Sequence, residues 1–225
     1  MSRPEDRKIG LSSTDRAFNL SDGVFSIAMT LLVFGLAVPV LTPDGPPLSG
    51  LLLSMWPEFL LYGLSFLILG VLWMMHHAVY DNVHFSNSTL GWLNIFALLF
   101  VALIPFSTSL IWKHGMNQTT ALAYGMNFLG AAALLWLMFC YASSRPDLVR
   151  PETPREVLLA GRRMGLVYTT ILLTAIGLAF VAPIASFAMY AAFVVTFIVF
   201  TVLGRFDIVM LWPARRDRAA RREGD

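Results

Sequence analysis

The sequence predicts an all-α membrane protein with six transmembrane helices. Of its 225 residues, 57% are hydrophobic and only 13% are charged, about half the charged share of an ordinary soluble domain. The charges are also clustered, which leaves long uncharged stretches, and each of them exceeds the roughly 20 residues that cross a bilayer. The composition argues against a soluble enzyme, a secreted disulfide scaffold and a nucleic-acid-binding domain.

The spans follow from the lengths of these stretches. The last one, from Met164 to Gly204, holds 41 residues, about 60 Å of helix, so it has to fold back once. Ala182-Pro183 is the predicted turn. Each of the other four stretches gives one span. The predicted spans are roughly 18–40, 51–80, 88–112, 119–142, 162–182 and 185–207.

The distribution of basic residues gives the orientation. In a six-span chain, fifteen of the sixteen Lys and Arg residues fall on one side and Lys113 alone falls on the other. Cytoplasmic segments carry the excess of Lys and Arg, so both termini are predicted to be cytoplasmic. A five-span chain would place the basic C-terminal tail outside, against this rule.

The two ends are predicted to be cytoplasmic segments that flank one membrane domain. Residues 1–15 are polar and lack the apolar core and cleavage site of a signal peptide, so we expect a cytoplasmic arm and a retained first span. Ser12 to Asp15 offer capping side chains for a helix that begins near Arg16. Residues 16–209 form the predicted six-helix domain, and residues 210–225 a basic cytoplasmic tail.

Topology places several polar residues of spans one to three together in the cytoplasmic third of the bilayer. Asp22 begins span one, His76 and His77 end span two, and Asn94 lies early in span three, so Asp22 is expected to meet one of the other three. One interpretation is a metal or proton site. We favour a hydrogen-bonded clamp, because adjacent residues of a helix point about 100° apart and the two histidines cannot easily chelate one ion. A third interpretation leaves Asp22 exposed at a mouth, where it attracts cations.

Span one also carries a stripe of residues on one helical face. Its members recur at positions i, i+4, i+7, i+8 and i+11, and they are Gly23, Ile27, Thr30, Leu31 and Phe34. Such a stripe is typical both of helix packing and of a pore wall. The spacing alone does not choose between them.

The polar start of span one carries a resemblance to a known family. The run from Arg16 to Gly23 resembles the R-x-x-x-F-S-D signature of the transmembrane protein 175 family, with Leu20 in place of the motif's Phe. The segment from Trp73 to His77, Asn94, and Pro105-Phe106 are also similar to prokaryotic members. Six spans with internal termini is the architecture of this family.

The resemblance implies a potassium-permeable channel of the bacterial inner membrane, homotetrameric, in which the first helix of each subunit lines a central pore. The implied constriction and selectivity residues are Ile27, Thr30, Leu31 and Phe34, where Phe34 is bulkier than the Leu usual in the family. The implied network that holds the pore helix consists of Arg16, Ser21, Asp22, His76, His77 and Asn94.

The predicted function is passive conduction of K⁺ with a modest preference over Na⁺. A ring of apolar side chains excludes hydrated ions when it is closed, and Thr30 hydroxyls replace part of the water that an ion sheds. We expect no enzyme activity, no cofactor apart from the permeant K⁺, the lipid bilayer as surroundings and no nucleic-acid partner. The alternative is a proton-coupled secondary transporter that uses Asp22 and the two histidines. A weaker alternative is a metalloenzyme built on His76, His77, His84 and Asp81.

Overall fold

The computed structural model describes the backbone of residues 4–83 and 87–203, and the side chains of that part from residue 17 onward. The regular secondary structure within it is helical, apart from one isolated bridge between Val83 and Val149. The helices are α1 (Pro4–Leu31), a 3₁₀ segment (Leu32–Gly35), α2 (Leu48–Ser54), α3 (Trp56–Asp81), α4 (Ser88–His114), α5 (Gln118–Ser143), α6 (Arg155–Leu178) and α7 (Pro183–Val202).

Six helical segments of the described chain are long and apolar enough to cross a membrane, which confirms the predicted number of spans. The predicted turn at Ala182-Pro183 is confirmed as well. Helix α6 ends at Leu178, and α7 begins at Pro183. Proline suits the first helical position because its fixed φ matches a helix and its missing N–H has no intrahelical partner there.

The first two spans end differently from the sequence prediction. Helix α1 begins at Pro4 rather than near Arg16, so residues 12–15 lie inside the helix instead of capping it. Its helical path ends at Gly35 and not at residue 40. Pro39 gives a reason, because its ring would clash with the carbonyl group four residues earlier in a continued helix.

The second span is interrupted where the sequence predicted one continuous helix. The short helix α2 ends at Ser54, and α3 restarts at Trp56 with Pro57 in its first turn. Proline is tolerated in a first turn and not in a helix interior. In the fifth span, α6 begins at Arg155 rather than near residue 162, because hydropathy does not register the polar turns that extend a helix beyond its apolar part.

The helices pack as one bundle. Helices α4 and α5 make the most extensive contact, across a tight turn at Gly115 that has a φ of +75°. Helix α1 packs against α3 and α4 through one face, on which Phe25, Ala28 and Leu32 are almost completely buried. Since these residues recur at intervals of three and four, they define a single buried stripe and leave the opposite face of α1 outside the bundle.

Candidate functional site

The face of α1 that points away from the bundle carries large apolar side chains. Ile27 is 60% exposed, Leu31 46% and Phe34 82%. Thr30 is exposed on the same face. A continuous apolar stripe outside the core indicates a surface that lipid or another protein surface covers. The four residues of the predicted constriction therefore share one uncovered face.

The change from α to 3₁₀ winding sets the relation between Leu31 and Phe34. In a 3₁₀ helix there are three residues per turn and about 2 Å of rise per residue, so side chains three positions apart eclipse each other. Phe34 consequently lies above Leu31 along the helix. The same rule places Gly35 above the fully buried Leu32, about 120° around the helix from Phe34.

The Thr30 hydroxyl is bound to its own helix. Its Oγ1 lies 2.9 Å from the carbonyl oxygen of Ile27 and 3.1 Å from that of Ser26. A hydroxyl has one hydrogen, and these carbonyl groups only accept, so the hydrogen points back to the backbone. The lone pairs of the Thr30 oxygen are left to face outward, an arrangement that suits a cation and not an anion.

A chain of hydrogen bonds joins the opposite face of α1 to α3 and α4. His76 Nε2 donates to Asn94 Oδ1 at 3.0 Å, and Asn94 Nδ2 donates to Ser21 Oγ at 3.0 Å. Ser21 Oγ in turn donates to the carbonyl oxygen of Ala17 at 2.9 Å. His76, Asn94 and Ser21 are all buried. Three helices are thus held together through polar groups that have no water to compete for them.

A second connection runs through Trp73, which the sequence analysis named for the family resemblance but did not assign to the network. Trp73 Nε1 donates to Asp22 Oδ1 at 2.9 Å, and His77 Nδ1 lies 3.1 Å from the Trp73 carbonyl oxygen. The Trp73 and His77 rings are 4.0 Å apart between centroids. Trp73 and His77 are four positions apart in one helix and therefore share a face, a spacing that places Trp73 beside His77 but does not identify it as the partner of Asp22.

Phe18, near the first residue of α1 whose side chain is described, packs against the aromatic rings at the end of α3. Its ring stands edge-on to His77 at 4.8 Å and to Tyr80 at 5.8 Å between centroids. Farther along α1, Phe25 lies 5.7 Å from the His76 ring. Aromatic pairs in such edge-on geometry add a modest stabilisation beyond the area that they bury. The sequence analysis missed Phe18, although it lies within the quoted motif run.

The predicted network is brought together in part. Ser21, His76 and Asn94 form one hydrogen-bonded chain, and Asp22 and His77 are linked through Trp73. The expectation that Asp22 meets His76, His77 or Asn94 gave the right location but not this indole partner. The side chain of Arg16 lies outside the described residues, as does His84 of the metalloenzyme interpretation.

The two adjacent histidines point in different directions. Their ring planes are inclined by 68°, and their centroids are 6.3 Å apart. His76 binds Asn94 on α4, whereas His77 bonds within α3. Across the described parts of the chain, no group of three or more His, Cys, Asp or Glu side chains is arranged to hold a metal ion.

Six helices of the described chain are long and apolar enough to cross a membrane, which defines a polytopic membrane protein. The family model described as "Endosomal/lysosomal potassium channel TMEM175" matches residues 16–105. The chain belongs to the TMEM175 family. That family consists of ion channels and not of enzymes.

Relatives and a solved structure agree with this assignment. "Potassium channel B446_29190" of Streptomyces collinus is 29% identical over 68% of this chain and 75% of its own length. "Potassium channel Cha6605_3372" of Chamaesiphon minutus is 31% identical over 64% and 73%. The crystal structure of a lysosomal potassium-selective channel TMEM175 homolog from Chamaesiphon minutus superposes with a TM-score of 0.74 at 27% identity, over 84% of this chain and 97% of that one.

Proposed function

We propose that four copies of this chain form a passive, potassium-permeable channel in which α1 of each copy lines a central pore. The observation that carries the proposal is the uncovered stripe of Ile27, Thr30, Leu31 and Phe34, three of whose members are large and apolar. Two bacterial relatives bear the name potassium channel, and a solved relative is described as potassium-selective. These names support K⁺ as the permeant ion.

The apolar rings form a hydrophobic gate, which closes the pore by dewetting. When four Ile27 side chains converge on the axis, the constriction between them is too apolar to hold the water that a hydrated ion carries, so it empties and blocks conduction. Separation of the α1 helices lets water return. Leu31 and Phe34, which eclipse each other on the same face, form the next two rings along the path.

The proposed selectivity arises where the ion passes Thr30. An ion in a narrow apolar ring sheds part of its hydration shell, and K⁺ loses water at a lower cost than Na⁺. The outward lone pairs of four Thr30 oxygens replace part of that water. Four such ligands are fewer than a cage of carbonyl oxygens provides. We therefore expect a modest preference for K⁺ over Na⁺.

The polar cluster fits a clamp that positions α1. The hydrogen-bonded chain from His76 ends at the Ala17 carbonyl oxygen, which accepts a hydrogen bond but has no proton to pass on. This end point favours a clamp over the proton relay that a coupled transporter needs. Arg16, Ser21, Asp22, His76, His77 and Asn94, together with Trp73, are the residues that we assign to the clamp.

The proposal includes an orientation and a location. The basic residues favour cytoplasmic termini, with residues 1–15 as an arm and 210–225 as a tail on either side of the channel domain 16–209. The tail lies outside the described residues. The bacterial inner membrane is the proposed location, and K⁺ the only ion that function requires, with no cofactor.

The reversal potential tests the proposal. Purified protein is placed in a planar lipid bilayer with K⁺ on one side and Na⁺ on the other at equal concentration. A passive current that reverses nearer to the K⁺ equilibrium potential supports the channel. Absence of current at every voltage, together with pH-driven uptake into liposomes, would establish the transporter instead. Chemical cross-linking of the purified protein in detergent tests the tetramer independently.

A further inference from the structure

At the end of the pore-facing helix, the backbone of Gly35 lies against the Trp112 side chain of α4. A Cβ atom built on Gly35 would overlap the six-membered ring of Trp112, which lies near the end of α4. Gly35 is the last residue of the 3₁₀ segment. Within the described residues, Gly115 is the glycine that adopts a positive φ. Gly35 is thus required for space and not for an unusual backbone conformation.

The contact with Trp112 lies about 120° around the helix from Phe34, because consecutive residues of a 3₁₀ helix are one third of a turn apart. Gly35 eclipses the fully buried Leu32, so it faces the bundle, whereas Phe34 eclipses Leu31 and faces away. A force that pushes Gly35 away from α4 consequently moves Phe34 outward as well, with about half of the displacement along the direction in which Phe34 projects. A gap at Trp112 has the opposite effect.

Trp112 meets Gly35 through its ring, in a packing contact that involves no hydrogen bond of the indole N–H. Its Nε1 is buried and has no hydrogen-bond partner among the described residues. The flat ring of Trp112 lies against the backbone of Gly35 and occupies the space that a side chain at position 35 would need.

We propose that Trp112 is a positioning residue for the pore: through its contact with Gly35 it sets how far the Phe34 side chain projects from the bundle, and hence the width of the ring that Phe34 forms. This inference rests on the proposed function, because it requires α1 to line the conducting path. It adds a determinant of conductance on α4, a helix that contributes none of the proposed pore-lining residues.

The test measures single-channel conductance, which does not depend on how many molecules fold or insert. In bilayers with symmetrical K⁺, we expect Gly35→Ala to lower the conductance by about twofold or more, because the added methyl group displaces Phe34 toward the axis. Trp112→Leu alone is expected to raise it. In the double variant, the smaller side chain accommodates the methyl group and conductance returns toward the wild-type value.

The control is Gly91→Ala on α4, where a Cβ atom meets nothing within 4 Å and conductance should be unchanged. If Gly35→Ala does not fold, Trp112→Leu and Trp112→Phe decide the question, since both remove the outer indole ring that contacts Gly35 and both should raise conductance. Wild-type conductance in Trp112→Leu, or a Gly35→Ala defect that Trp112→Leu does not relieve, overturns the inference while the channel proposal stands. Absence of current in the wild-type protein overturns both.

Discussion

Asn94 Nδ2 on α4 donates to Ser21 Oγ on α1 at 3.0 Å, and both side chains are buried. The same amide accepts from His76 Nε2, so one residue holds three helices. Asn94→Leu leaves the His76 and Ser21 groups without this partner, at a cost of about 1–3 kcal/mol for each buried polar group left unsatisfied. We expect a lower Tm in detergent and fewer assembled oligomers by size-exclusion chromatography.

Ser109→Ala is the matched control for Ser21→Ala. Both hydroxyls donate to a carbonyl oxygen four residues earlier, but only Ser21 also accepts from another helix. Ser21→Ala should therefore lower the Tm, and Ser109→Ala should leave it nearly unchanged. Equal Tm values for these two variants would argue against the clamp.

The roles of Asp22 as a hydrogen-bond acceptor and as a charge can be separated. Asp22→Asn removes the charge but keeps an oxygen that accepts from Trp73, whereas Trp73→Phe keeps the charge and removes the donor. If Asp22 acts mainly as a hydrogen-bond acceptor in the clamp, we expect Trp73→Phe to reduce the oligomer yield and Asp22→Asn to leave it unchanged. Yield is measured by fluorescence-detected size-exclusion chromatography.

A different outcome identifies Asp22 as a cation-attracting group. Conductance at low ionic strength would then fall in Asp22→Asn and recover in high salt, because salt screens the interaction between an exposed charge and a passing ion. Trp73→Phe would conduct normally in that case. Recording both variants at two salt concentrations distinguishes the two roles.

The sequence predicts the number of spans because charge clustering and helix length depend on local composition alone. It fails at helix ends, where single prolines decide: Pro39 stops the path of α1, and Pro57 interrupts the second span. For the site, the polar residues Ser21, His76 and Asn94 could be placed at one depth by counting. The partner of Asp22 could not, since Trp73 counts as apolar in hydropathy although its N–H needs an acceptor when buried.

The Gly35 contact was inaccessible to sequence reasoning for a related reason. A glycine after an apolar helix is an ordinary signal of a helix end. In this chain a glycine is needed at position 35 because the Trp112 ring, 77 positions further along the sequence, leaves no room for a side chain there. Long-range contacts of this kind leave no periodic trace in either helix.

Thr30 is expected to control selectivity and not assembly, because its hydroxyl bonds only to its own helix among the described residues. Thr30→Val keeps the shape and removes the oxygen, so the reversal potential under K⁺/Na⁺ conditions should move toward zero. Thr30→Ser retains the oxygen and should restore most of the wild-type value. A reversal potential that is unchanged in Thr30→Val contradicts the proposed role.

Ile27 is expected to be the residue that keeps the closed pore dry. Ile27→Asn replaces an apolar side chain, 60% exposed in the single chain, with one that binds water, so the constriction should remain wet and the resting K⁺ current should rise. Leu173→Asn makes a comparable change at a 53% exposed position of α6 and should leave the current per channel unaltered. Open probability is measured in planar bilayers for both variants. An Ile27→Asn channel with wild-type open probability would show that the gate lies elsewhere on α1.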